Sequence, residues 1–113
     1  MSKISKLDQN LIIRKIDSET SNIQISNNEM LKSIVGQFNQ NLKELEKLTN
    51  TSIFFRGNSI TCKGKEPNLR EFSEAIKFLA DKYLLTHLIE KGDIVLSVKK
   101  NMKTEKSNVK SFS

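Results

Sequence analysis

The chain has 113 residues but no tryptophan, one cysteine, one histidine, one proline and four glycines. Each scarcity excludes something. Cys62 has no partner within the chain, so no internal disulfide can hold the fold, an arrangement that suits a reducing compartment. One cysteine and one histidine fall short of the three or four side chains of a zinc site, so no metal is expected. No run approaches the ~18 apolar residues of a membrane span. The opening Met-Ser-Lys-Ile-Ser-Lys-Leu-Asp has no apolar stretch of signal-peptide length. These readings together predict a cytoplasmic protein with no membrane partner. No pair of carboxylates has convergent spacing, since Glu44 and Glu46 are two apart on a predicted helix and diverge. No base is placed to activate Cys62, which reads as a small inward-facing hydrophobe. Catalysis by this chain is not expected.

Apolar residues make up 36% of the chain, and Leu, Ile, Val and six Phe must supply the core. Net charge is +6 and is unevenly placed. Residues 99–113 hold five lysines and one glutamate. Residues 32–65 contain Lys32, Lys43, Lys47, Arg56, Lys63 and Lys65 against Glu44 and Glu46, whereas residues 66–98 are net acidic. A basic segment beside an acidic one suits a polyanion-binding surface, and equally an ordinary solvated surface.

The apolar pattern divides the chain. Residues 1–20 have little periodicity and read as a weakly ordered extension, in which Leu11, Ile12, Ile13 and Ile16 allow a strand, a short helix or loose packing. Asn22 to Ser26 alternates as a strand. Asn27 or Asn28 can cap a helix through Met30, Leu31, Ile34 and Val35. Gly36 interrupts, and apolar spacing resumes at Phe38, Leu42, Leu45 and Leu48. A hairpin follows, with Ile53 and Phe55 on one face of its first strand, Ile60 and Cys62 on one face of its second, and Gly57-Asn58 at the turn. Leu69, Phe72, Ile76, Leu79 and Tyr83 then mark a long amphipathic helix, which Pro67 or Asn68 starts and Gly92 ends. Residues 94–98 fit a strand or a helix. Beyond Lys99 the composition predicts a disordered basic tail. The expected domain is therefore 21–98, of α+β class, with order β-α-α-β-β-α, a three-stranded antiparallel sheet and helices on one face.

That order, with a glycine turn between the first two helices, resembles a type I KH domain. Val35-Gly36-Gln37-Phe38-Asn39-Gln40-Asn41-Leu42 falls where KH domains carry their Ile-Gly-x-x-Gly loop. Asn41-Leu42, Leu45-Glu46, Ile53, Arg56-Gly57-Asn58, Ile60 and Gly64 further resemble the N-terminal KH-like domain of the PhoH-like P-loop ATPases of phosphate starvation, over about residues 22–92. The resemblance implies a cytoplasmic bacterial protein that binds single-stranded RNA along the loop. Its RNA-binding residues would be Gly36, Gln37, Phe38, Asn39, Gln40 and Asn41, with Lys43 and Arg56 nearby. Two departures stand out. Asn39 replaces the second loop glycine. No G-x-x-x-x-G-K-[ST] loop is present, since Gly64-Lys65 precedes Glu66 and Ser59 stands five residues before Gly64, so neither ATP nor another cofactor is expected.

Three site residues admit more than one role. Phe38 either stacks on a base or begins the core face of the second helix, and its spacing to Leu42 favours the core. Arg56 either contacts phosphate or closes the hairpin through local carbonyls. Phe54 points away from Ile53 and Phe55 and would be a base platform or an interface residue. The rival to RNA binding is a protein-docking module for a PhoH-like ATPase, with no nucleic-acid contact.

Overall fold

A computed structural model describes residues 11–99. In chain order the elements are β1 (Leu11–Asp17), β2 (Thr20–Ile25), α1 (Asn28–Val35), a 3-10 turn (Gln37–Asn39), α2 (Gln40–Thr49), β3 (Ser52–Arg56), β4 (Ser59–Lys63) and α3 (Glu66–Thr86). A last helix, α4, covers residues 91–99. The strands form one antiparallel sheet in the order β1-β2-β4-β3. The helices pack on one of its faces.

Two helices begin where their sequence signals. Asn27 caps α1, its side-chain oxygen accepting from the Met30 N–H at 3.0 Å. Pro67 stands in the first turn of α3, where its missing N–H is not needed. Asn68 lies inside that helix and does not cap it. Ile23, Ile25, Ile60 and Cys62 face the helices from the sheet, and Met30, Ile34, Leu45, Phe72, Ile76 and Leu79 meet them. Burial pushes the Cys62 thiol up to about 11, so it stays protonated and inert at neutral pH.

The structure departs from the sequence reading in two places and decides a third that the sequence leaves open. The sheet has four strands where three were expected, because residues 11–17 pair with β2, Leu11 opposite Ile25 and Ile13 opposite Ile23. Within the extension the sequence leaves Leu11, Ile12, Ile13 and Ile16 open to a strand, a short helix or loose packing, and the strand is what forms. Only Leu11 of this edge strand is buried, so no inside–outside alternation was demanded of it. The long helix ends at Thr86 and not at Gly92. His87 takes the left-handed cap conformation (φ 59), its N–H bonding to the Tyr83 carbonyl at 2.7 Å. Residues 94–98 are helical, and Ile94 and Val98 are buried while Leu96 is exposed. Helical spacing therefore overrode strand alternation.

Two bonds latch α4. The Glu90 N–H donates to Asp93 Oδ2 at 2.8 Å, and Lys82 Nζ of α3 reaches the same oxygen at 2.8 Å. Together they hold the Asp93 carboxyl below its usual range, the Glu90 amide contributing most. The basic tail expected beyond Lys99 lies outside the described residues.

Candidate nucleic-acid interface

The turn between α1 and α2 is built from an unusual run of backbone angles. Gly36 has φ 80 and ψ 172, a region open essentially to glycine alone. Phe38 (φ 53, ψ 33) and Asn39 (φ 58, ψ 24) are both left-handed. Asparagine enters that region at little cost, so the turn survives the loss of its second glycine. Phenylalanine does not enter it freely, and left-handed geometry costs roughly 1–2 kcal/mol per residue.

Asn41 supports the turn from below. Its Nδ2 donates to the Ser33 carbonyl at 3.2 Å, which satisfies an acceptor in the last turn of α1. A Cβ on Gly36 would come within 2.7 Å of the Asn41 side chain. Gly36 is thus required both by its dihedrals and by close packing. The same bond makes Asn41 a brace for the turn. No side chain caps the N-terminus of α2.

Phe38 is 88% exposed. It is not the first core residue of α2, as its spacing had suggested. Leu42 and Leu45 fill that face. The left-handed conformation turns residue 38 out of the helical frame before the helix begins. The result is a large aromatic ring, conformationally strained and held in water at the outermost point of the turn.

Beside the turn lies an open groove of about 480 Å³. Leu31 and Val35 of α1 and Phe55 of β3 supply apolar lining, and Gly36, Asn39 and Gly57 bring the two turns to its rims. Asn28 and Lys32 complete it. Phe55 is 37% exposed and so presents part of its ring there. An apolar groove with a few amides and one cation suits flat, partly polar molecules.

Of the residues expected to meet RNA, Gly36 and Asn39 line this groove. Gln37, Phe38 and Gln40 are exposed on the turn beside it. Lys43 is exposed on α2 and does not line the groove. Arg56 pairs with Ser59, on the strand positions that alternate away from buried Ile60. It therefore belongs to the outer sheet face, with Phe54, and not to the groove. Phe54 is 55% exposed there, with Lys63 Nζ 5.9 Å from its ring centroid. Sequence reasoning missed Asn28, Leu31, Lys32, Val35, Phe55 and Gly57 as site residues. The apolar three were absorbed into core stripes. The available signal was Lys32, four residues before Gly36 and exposed.

The electrostatics favour an anion. The ion pairs among the described residues are Lys15–Glu66, Lys77–Glu74 and Lys82–Asp93. Among the described residues none of Lys32, Lys43, Lys47, Arg56 or Lys65 is in one, whereas Lys63 lies over the Phe54 ring and its charge helps lower the Asp17 carboxyl. Among the described residues no cluster of three or more His, Cys, Asp or Glu could hold a metal. No helix there is long and apolar enough to cross a membrane.

The β2-α1-α2-β3-β4-α3 core, with β4 between β2 and β3 and a glycine turn joining the first two helices, is a KH-like fold of type I. A chain in the crystal structure of an a/eIF2alpha–aDim2p–rRNA complex from Pyrococcus horikoshii OT3 is similar to it. The TM-score is 0.59 and the identity 16%, over 78% of this chain and 49% of that one. The present chain thus spans about half the length of that neighbour, and at this identity the likeness establishes the fold. No protein-family model matches the sequence, and no curated protein is significantly similar to it.

Proposed function

We propose that this chain is a noncatalytic KH-like module that holds single-stranded RNA, with the sugar-phosphate backbone over the Gly36–Asn41 turn and the bases in the adjoining groove. One observation carries the reading: an exposed aromatic, strained into left-handed geometry, stands on a glycine turn at the rim of an apolar groove. Strain of this kind is held in place by surrounding structure and clusters at functional sites. Phe38 offers a stacking face worth about 1–3 kcal/mol per base. Gly36 lets phosphate approach the main chain, and Lys32 supplies the nearest lining cation. A duplex would present no free base faces to the groove, so the ligand is single-stranded. The neighbour's presence in an rRNA complex supports RNA over DNA.

The resemblance to PhoH-like ATPases adds a finer reading, in which the module works in the cytoplasm and presents RNA to an ATPase unit carried elsewhere. The chain's own lack of a phosphate-cradling Gly-Lys-[ST] loop keeps ATP hydrolysis outside it.

The test is titration of labelled single-stranded RNA, read by fluorescence anisotropy, for the parent and for Gln37→Asp. The exposed Gln37 side chain can be changed without touching the core. A carboxylate there meets backbone phosphates with a repulsion of about 1 kcal/mol per close pair in water and more at lower dielectric. Binding should weaken about tenfold at moderate salt while the melting temperature stays unchanged. A folded Gln37→Asp protein that binds as tightly as the parent would eliminate this mode and leave protein docking as the leading role.

A further inference from the structure

A second pocket lies on the other side of the same turn. It encloses about 210 Å³ and is lined by Gln40, Asn41 and Glu44 of α2 and by Lys91, Ile94 and Val95 of α4. The chain passes directly from one cavity to the other, since Asn39 lines the groove and Gln40 lines this pocket. Exposed Phe38 stands just before them. The pocket exists because α4 packs against the core through Ile94 and Val98, and α4 lies outside the β-α-α-β-β-α core. Its volume falls short of the ~300–1,000 Å³ of pockets for drug-sized ligands and suits a single planar ring. One side is apolar, through Ile94 and Val95. Lys91 brings a cation and Glu44 brings an acceptor with no hydrogen to donate.

We propose that this pocket is a subsite for one nucleobase flanking those in the groove, so that single-stranded RNA crosses the turn and Glu44 selects a base bearing an exocyclic amine. The inference rests on the RNA-binding reading above. Val95 and Ile94 give the base its apolar contact, and Lys91 meets the phosphate that follows. A carboxylate accepts from the N4 amine of cytosine or the N6 amine of adenine. Uracil presents a carbonyl at the corresponding position, and two acceptors repel.

Isothermal titration of the full chain with RNAs of four to seven nucleotides, extended one residue at a time at either end, tests this. Extension at one end should tighten binding about fivefold or more at a single step. At that step cytosine or adenine should exceed uracil by about fivefold. Val95→Glu should abolish the gain and leave the affinity for the tetranucleotide unchanged. Lys91→Glu, at an exposed position that cannot disturb the core, should do the same. Glu44→Gln should keep the gain and lose the base preference, because an amide both donates and accepts. A parent that binds the tetranucleotide but gains nothing on extension overturns the subsite and leaves the groove reading standing. Retention of the gain in both Val95→Glu and Lys91→Glu overturns it as well. Persistence of the preference in Glu44→Gln overturns the role of Glu44. A parent that binds none of the RNAs overturns the groove reading, and the subsite with it.

Discussion

The two glycine turns that frame the groove look alike in sequence and differ in how they are held. Gly57, at the β3–β4 hairpin, has φ 59, and a Cβ added there would meet nothing within 4 Å. Gly36 has φ 80 and is packed onto Asn41. Gly57 answers to backbone geometry alone. Gly36 answers to backbone geometry, to a side chain beneath it and to a polar bond that joins α1 to α2. The lesson is that the site-bearing turn is over-determined by its surroundings. That is what allows it to hold a strained aromatic in water, which the hairpin turn has no means to do.

Gly36→Ala should break this difference most severely. It adds strain of about 1–3 kcal/mol for a dihedral region closed to alanine, and an overpacking cost of about 1–3 kcal/mol against Asn41. Denaturant unfolding should show a loss of about 2–6 kcal/mol. Asn41→Ala in the same chain should recover the steric share, so the two changes should be strongly non-additive in a double-mutant cycle. Purely additive costs would mean that the contact beneath Gly36 is not what constrains it.

Gly57→Ala should cost less, roughly 1–2 kcal/mol for the left-handed conformation by itself. A loss at Gly57 equal to that at Gly36 would erase the distinction between the turns.

Phe38→Gly sharpens the comparison from the other side and has the smallest effect on stability. Removing the exposed ring forfeits no core contact, and glycine adopts φ 53 freely. Stability should hold constant or rise by up to about 1 kcal/mol, because the relief of strain is partly offset by the larger backbone entropy of glycine in the unfolded chain. RNA affinity should fall about fivefold or more with the lost stacking face. A marked drop in melting temperature would show that Phe38 packs after all.

Much of the fold was legible wherever one periodicity stood unopposed. The α3 stripe through Leu69, Phe72, Ile76 and Leu79 has a single solution at 3.6 residues per turn, and all four are buried. The hairpin was marked by Gly57-Asn58 between alternating runs, and Ile60 and Cys62 are buried as that alternation required. The α1 cap was narrowed to two adjacent asparagines, of which Asn27 serves. β1 was legible only as one of several options, because an edge strand with one buried residue leaves no trace of alternation. The end of α3 was misjudged because the signal at Gly92 was stronger than that of His87. A histidine in left-handed geometry is stabilised here by its bond to Tyr83 and by edge-on contact of the two rings, 5.2 Å between centroids.

The sequence by itself determined the class of fold, the position of the turn at Gly36 and the concentration of basic residues in 32–65. These follow from local dihedral preference, hydrophobic period and charge, which act over a few residues. Only the tertiary structure decided that Phe38 is exposed, that Leu31, Lys32 and Phe55 meet across one groove, that Arg56 belongs to the opposite face, and that α4 encloses a second pocket. Spacing along the chain cannot separate an apolar residue on a core stripe from one turned outward by a left-handed backbone. It also cannot bring α1 beside β3, or α4 beside α2, because the packing that does so joins residues far apart in the chain.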